Sequence, residues 1–258
     1  MNEKLMLFCK SILDRTAANF PNEALHRLKA NMHHLLNPEN APKPLLPMQN
    51  PTFHYYPGLR DQPWWDITFM PKNQLMECKE KIKAELQGIL FQEKFTPFSL
   101  NVTEPFPPAY LDGSMNTYHL IRDLDPDQNK YAQRQLELPQ TMALLRSIPG
   151  LADDAFFSCF VPGTHLKPHA AEDNVRLNVH LGLEVPRGCG IAVAAQQRIW
   201  PEDQMLCFDP SFTHEAWNFG ASNRHVLLFT IWHPDLTQAE VFAIKLFSKE
   251  YHHYVDRL

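Results

Sequence analysis

Glycine is scarce: 9 residues against 22 prolines in a chain of 258. Neither G-x-G-x-x-G nor G-x-x-x-x-G-K-[ST] occurs, so the backbone cradles that nucleotide phosphates need are missing. Cysteine is also sparse. The five, Cys9, Cys78, Cys159, Cys189 and Cys207, are scattered without a C-x-x-C, which excludes a zinc ribbon and argues against a disulfide framework. There is no excess of positive charge. A formal net charge of -5 gives no long-range attraction for phosphate backbones or anionic lipid, so no nucleic acid and no membrane partner is expected. No uncharged apolar run approaches membrane-spanning length, and Glu3, Lys4, Lys10 and Asp14 interrupt any signal-peptide core at the N-terminus. With reduced cysteines, this predicts a cytoplasmic protein.

What is present is ordinary globular composition, 44% hydrophobic and 21% charged, in a chain long enough for a well-buried core. Residues 4–36 carry apolar side chains at helical spacing (Leu5, Phe8, Ile12, then Leu25, Leu28, Met32), with Asn19-Phe20-Pro21 as the break. Prolines at 38, 42, 44, 47, 51, 57, 63 and 71 predict an extended, surface-hugging stretch, followed by a helix over 72–92. Residues 104–108 read as irregular, and the polar, charged run 123–135 as a mobile loop. Beyond residue 154 the apolar period drops to 2. Strand-like runs follow at 155–161, 174–183, 190–195, 204–208 and 224–232, and a last helix starts at Thr237, where T-Q-A-E offers a capping box. The fold predicted is mainly β with flanking helices (α+β), a jelly-roll or cupin-like barrel core beneath an N-terminal helical and extended layer. No repeat or linker divides it. The expected organisation is one domain, 1–258, with an N-terminal layer over 1–54, a catalytic unit over 55–236 and a C-terminal helix over 237–258.

The run 174–183 alternates strictly. Val175, Leu177, Val179, Leu181 and Leu183 share one face; Asn174, Arg176, Asn178, His180 and Gly182 share the other. Such a polar face is either solvated or turned into a barrel, where Arg, Asn and His can grip a carboxylate beside a metal. His169 stands just before this strand and His214 just after the strand ending at Phe208. Two neutral imidazoles on a rigid sheet can hold Fe(II), although the carboxylate of an H-x-D/E pair is replaced by Ala171. Arg224, ten residues past His214, opens the next strand with a guanidinium suited to clamping a carboxylate.

These residues lie in an extended pattern: Pro162-Gly163-Thr164-His165, Pro168-His169, Asn174-x-Arg176-Leu177-x-x-His180-Leu181-Gly182-Leu183, Phe208-Asp209-x-Ser211-Phe212-x-His214-Glu215-x-Trp217, Arg224, and Ile231-Trp232-His233-Pro234-x-Leu236. With an upstream echo at Gly58-Leu59 and Pro63-Trp64-Trp65, the pattern resembles the aspartyl/asparaginyl β-hydroxylase family of Fe(II)- and 2-oxoglutarate-dependent dioxygenases over about residues 55–236. The resemblance implies a double-stranded β-helix with iron on His169 and His214 as the catalytic and metal-binding pair. It further implies 2-oxoglutarate as cosubstrate, its distal carboxylate on Arg224 and Ser158 and its metal-binding end near His180. Peptide-hydroxylating relatives have a small residue where Ala171 stands. They also tend to carry a second Arg at the position of Asn178, leaving Arg176 with Asn178 as the substrate-binding residues here. The function expected is hydroxylation, with dioxygen, of an unactivated carbon of an aspartyl- or asparaginyl-like unit in a peptide, amino acid or natural product. Alternatives are a lipid acyl-chain hydroxylase of the same family and a non-catalytic cupin-like binding module.

Overall fold

The computed structural model describes residues 3–98, 107–123 and 128–255. Two helices, α1 (Glu3–Asn19) and α2 (His26–Leu36), open the chain, broken at the predicted Asn-Phe-Pro. They bury Cys9, Ile12, Leu28 and Met32 against Ala239 and Ala243 of the last helix, α6 (Gln238–Val255). That helix begins as its sequence directs: the Thr237 N–H donates to the Glu240 carboxylate at 2.9 Å, and the Glu240 N–H donates to Thr237 Oγ1 at 3.2 Å. The proline-rich segment contributes a single 3-10 turn (Pro38–Asn40) and the short strand β1 (Trp64–Trp65) before α3 (Lys72–Phe91). Of the irregular stretch 104–108, residues 104–106 lie outside the described residues.

Among the described residues, twelve strands build two sheets. Besides β1 they are β2 (Thr96–Pro97), β3 (Leu111–Asp112), β4 (Met115–Arg122), β5 (Leu151–Phe160), β6 (Thr164–His169), β7 (Arg176–Glu184), β8 (Cys189–Val193), β9 (Gln196–Arg198), β10 (Leu206–Phe208), β11 (His214–Asn218) and β12 (Arg224–Trp232). The larger sheet runs β1-β10-β7-β12-β5-β4-β2 and the smaller β3-β6-β11-β8-β9, with every pairing antiparallel. From β5 to β12 successive strands switch between the sheets, except at the β8–β9 hairpin, giving the double-stranded β-helix.

The alternation in β7 sorts the two sides. Leu177, Val179, Leu181 and Leu183 pack outward with Leu227, Phe229 and Ile231 of β12 against α3 and α5 (Pro139–Ser147). Each such burial stabilises by about 1.5–3 kcal/mol. The opposite faces close on each other through Phe156, Phe160, Val226, Phe208, Phe212, Ile191 and Val193. Arg176, Asn178, His180 and Gly182 therefore point between the sheets.

The polar run 123–135 differs from expectation. Residues 124–127 lie outside the described residues, but Gln128–Glu137 form a helix, α4. Tyr131 alone is deeply buried in it, and the helix is tied instead to carbonyls of β4: Arg134 Nη1 donates to His119 O and Gln135 Nε2 to Leu120 O, both at 2.9 Å. A helix anchored by polar side chains carries no apolar stripe to betray it.

Candidate active site between the sheets

His169 and His214 are opposite each other on the adjacent strands β6 and β11, and their ring centroids are 4.2 Å apart. A register shift makes this meeting possible. Ala216 pairs with Leu166 but His214 with His169, so β6 has one more residue than β11 between the two pairs. This bulge flips the alternation after Leu166, whose side chain packs inward, and turns His169 inward too. His165, before the bulge, instead lies 2.7 Å from Glu215 and edge-on to Trp217, away from the pair.

Each imidazole is fixed by its own backbone. Nδ1 of His169 donates to Lys167 O at 2.8 Å and Nδ1 of His214 to Phe212 O at 2.9 Å. Both rings thus carry the lone pair on Nε2, the tautomer that a metal requires. Burial lowers the pKa of His169 and drives that of His214 down to about 3, with His169 adding to the fall, so both are neutral at neutral pH. The chemistry of this donor set suits a divalent transition metal. No carboxylate joins it. Ala171 donates its N–H to Pro210 O, Glu172 is exposed and Asp173 is engaged with Arg176; among the described residues no group of three His, Cys, Asp or Glu could hold a metal.

The larger sheet supplies a second set of polar groups. Phe208 separates His214 from His180, with centroids 5.3 Å and 5.2 Å away, and His180 lies parallel to Trp200 at 6.1 Å. His180 is buried with neither ring nitrogen hydrogen-bonded among the described residues, and burial first, then the Arg224 and His214 charges, hold its pKa well below the usual value. Gly182 admits Trp200: a Cβ there would stand 2.9 Å from the Trp200 Cβ. Arg224 is 2% exposed, with its Cζ 3.7 Å from the Phe160 centroid and 5.0 Å from that of Trp200. Its Nη2 donates to Ser158 Oγ at 2.9 Å, its Nε has no partner, and no ion pair with a carboxylate is formed among the described residues. Burial lowers its pKa to about 10, which still leaves it charged. A buried guanidinium of this kind costs several kcal/mol unless an anion meets it.

Of the sequence-predicted residues, His169, His214, His180, Ser158 and Arg224 are thus brought together. Arg176 and Asn178 share their face of β7, toward its N-terminal end. Arg176 is held by Asp153 at 2.7 Å and Asp173 at 2.8 Å and lies over Trp232. Trp200, Phe208 and His119 were not singled out. His119 could have been found from the period of two in Met115, Thr117 and His119, with Tyr118 and Leu120 on the other face.

The profile of the aspartyl/asparaginyl β-hydroxylases matches residues 80–234, a span that contains every one of these site residues. The chain belongs to this family. It is 31% identical over 191 residues to the human aspartyl/asparaginyl β-hydroxylase, covering 70% of this chain and 24% of that protein. It is 32% identical over 184 residues to the ornithine lipid ester-linked acyl 2-hydroxylase of Rhizobium tropici, covering 69% of this chain and 63% of that one. The match therefore spans about a quarter of the length of the mouse and human aspartyl/asparaginyl β-hydroxylases. Among solved structures, a Pseudomonas putida prolyl-4-hydroxylase superposes with a TM-score of 0.41 at 18% identity, over 66% of this chain and 92% of that one. The matched span takes in most of the double-stranded β-helix.

Proposed function

We propose that this chain is a hydroxylase, an Fe(II)- and 2-oxoglutarate-dependent dioxygenase acting on an unactivated carbon of an aspartyl- or asparaginyl-like unit in a peptide, an amino acid or a natural product. The observation that carries the reading is Arg224: a buried guanidinium without a carboxylate partner among the described residues, across the barrel interior from two imidazoles whose Nε2 lone pairs are fixed. A small dicarboxylate that also chelates a metal satisfies both at once.

In this reading His169 and His214 would hold the iron, with Ala171 standing where the usual carboxylate would be. Ser158 and Arg224 take the distal carboxylate of 2-oxoglutarate, the guanidinium providing charge and the hydroxyl a short hydrogen bond. His180, kept neutral, borders the metal-binding end without competing for the proton of any ligand. Phe208 and Trp200 exclude water from that end, which strengthens each polar contact inside. When bound, the iron couples oxidative decarboxylation of 2-oxoglutarate by dioxygen to hydroxylation of the substrate. Arg176 and Asn178 face the substrate from β7.

A second reading, a lipid acyl-chain hydroxylase, is favoured by the likeness to the ornithine lipid acyl 2-hydroxylase, which covers a larger share of that relative than of the mammalian ones. Among the described residues no helix is long and apolar enough to cross a membrane.

The test is succinate release from 2-oxoglutarate by anaerobically Fe(II)-loaded protein exposed to oxygen, with aspartyl and asparaginyl peptides, free amino acids and an acylated ornithine as candidate substrates. Stimulation by one class supports the oxygenase and chooses between the two readings. Succinate release that survives His169→Ala together with His214→Ala would refute it, and absence of both iron and 2-oxoglutarate binding would make the chain a cupin-like binding module.

A further inference from the structure

The edge strand β9 carries a cation on its inward side. Its register with β8 sets Arg198 opposite Ile191 and Gln196 opposite Val193, and both partners point between the sheets. Opposite residues share a face, so Arg198 and Gln196 are turned inward as well. The rows continue into β11: Gln196 and Val193 align with His214, and Arg198 and Ile191 with Ala216. Two strand spacings and one row put the Cα of Arg198 about 12 Å from that of His214.

This placement is held from both ends. The hairpin turn before β9 is Ala194-Ala195, with φ of 49° and 61°, at positions that glycine, asparagine or aspartate usually fill. Alanine does not choose that conformation by itself; the Ala194 N–H donates to Thr213 O at 2.9 Å, which ties the turn to the residue before His214. Past β9, the loop 199–205 is braced on α3, where Lys79 Nζ donates to Glu202 O at 3.1 Å and Lys72 pairs with Asp203 at 2.8 Å.

Arg198 reaches across to the larger sheet, its Cζ 4.3 Å from the ring centroid of Trp64 on the edge strand β1. Trp64 lies 5.6 Å from Phe208, and Phe208 5.3 Å from His214, so ring contacts lead from the guanidinium to the imidazole pair. A cavity of about 580 Å³ opens where β9 and β10 part, lined by Arg198 with Gln197, Gln204 and Leu206, the last of which pairs with His180. No acid lines it. Among the described residues Arg198 has no hydrogen bond or ion pair, and the buried Nε1–H groups of Trp64 and Trp200 beside it have no acceptor. Donors gathered without acceptors are completed by an anion.

The other guanidiniums of the interior are engaged. β5 slips register against both β12 and β4, and the slip brings Asp153 to Arg176 and Asp154 to His119. With Asp173 on Arg176 too, the charge of Arg176 is compensated, and Arg224 is assigned above to the cosubstrate. Phe208 pairs with Asn178 on one side and with Trp64 on the other. Arg198 thus brings charge to the far end of a row that Asn178 leaves neutral.

We propose that Arg198 is a specificity-determining residue that receives a carboxylate of the substrate in this cavity and selects the acid over its carboxamide. This rests on the oxygenase reading above and narrows its substrate from aspartyl- or asparaginyl-like to acidic. A guanidinium meets a carboxylate through two parallel charge-assisted hydrogen bonds, whereas a carboxamide offers it one oxygen and turns an NH2 donor against the other arm of the fork.

Calorimetry of the full chain with Mn(II) and 2-oxoglutarate, without oxygen, tests this. The probes are acid–amide pairs: N-acetyl methylamides of aspartate and asparagine, the same derivatives of glutamate and glutamine, which reach one carbon further, and N-lauroylornithine with its carboxamide. At least one acid is expected to bind roughly tenfold or more tighter than its own amide. The preference should vanish in Arg198→Gln and persist in part in Arg198→Lys, which keeps the charge without the fork. In the wild-type protein the Arg198 Nε–H resonance should shift with the acid and not with the amide, which holds the proposal to account even if the Gln variant does not fold. A preference in the ornithine pair alone keeps the carboxylate subsite and assigns its ligand to the lipid reading. Acids that bind no tighter than their amides, a preference that survives Arg198→Gln, an unmoved Nε–H resonance, or no binding of any acid overturns it. A separate titration with 2-oxoglutarate distinguishes failure of the oxygenase reading: that failure appears as loss of cosubstrate binding, which Arg198 does not control.

Discussion

Arg224 donates to Ser158 across the β12–β5 pairing, 2.9 Å from Nη2 to Oγ, and this hydroxyl is its one side-chain hydrogen-bond partner among the described residues. Because the guanidinium is buried against Phe160 and Trp200, an anion that reaches it is worth far more than at a surface. Replacing Arg224 with Met should weaken 2-oxoglutarate binding at least ~100-fold by calorimetry. The unliganded variant should nevertheless melt no lower than the parent, since an unpaired buried charge has been removed. A large loss of stability with unchanged cosubstrate affinity would contradict this assignment.

Acid should destabilise the fold through its buried imidazoles. His214 has a folded pKa of about 3 against an ordinary 6.5, and His180 and His169 are shifted the same way. Between pH 6.5 and 3 the unfolded chain takes up protons that the native state refuses, so stability falls with pH throughout this window. Urea midpoints measured from pH 7 to pH 4 should drop steadily, and the slope should shrink in His214→Gln.

Asp209 acts in the opposite direction. Burial raises its pKa to about 7. From pH 4 to pH 7 the unfolded chain releases this proton while the native state keeps it, so its contribution to stability declines as pH rises. Asp209→Asn preserves the acceptor for the Ser211 N–H, 2.8 Å from Oδ1, and never has to ionise. Its stability relative to the parent should improve on going from pH 5 to pH 8, by on the order of 2 kcal/mol in chemical denaturation.

Gly182 is needed for closeness rather than for its backbone angles. A methyl group would meet Trp200 Cβ at 2.9 Å and Val185 Cγ2 at 3.0 Å. Gly182→Ala should cost about 1–3 kcal/mol. As Trp200 flanks both His180 and Arg224, the same substitution should reduce 2-oxoglutarate affinity, and a differential scanning series with and without cosubstrate would show both effects.

Much of this site was legible because β7 and β12 alternate without interruption, so a period of two assigns His180 and Arg224 to one side. The pattern fails where the ladder is irregular. Nothing in Leu166-Lys167-Pro168-His169 announces that an extra residue turns His169 inward; the motif singled out this histidine, but periodicity alone would have placed it outside. The slip in β5 hid Asp153 and Asp154 in the same way. β1, β2 and β3 are two residues long and exist through their partners, a length at which no sequence period can be read. The helical layer was visible in α1, α2, α3 and α6, whose apolar stripes are continuous, and invisible in α4, which is held by side-chain bonds to carbonyls of β4.

The chemistry of the site is divided between the two sheets. Both imidazoles belong to the smaller, while Ser158, His180 and Arg224 belong to the larger. A ligand that engages both groups is therefore a removable tie-bar across the barrel, and its departure frees the sheets to breathe against each other. Amide exchange should register this as faster opening of β6 and β11 in the ligand-free protein, with the helical backing of the larger sheet left undisturbed.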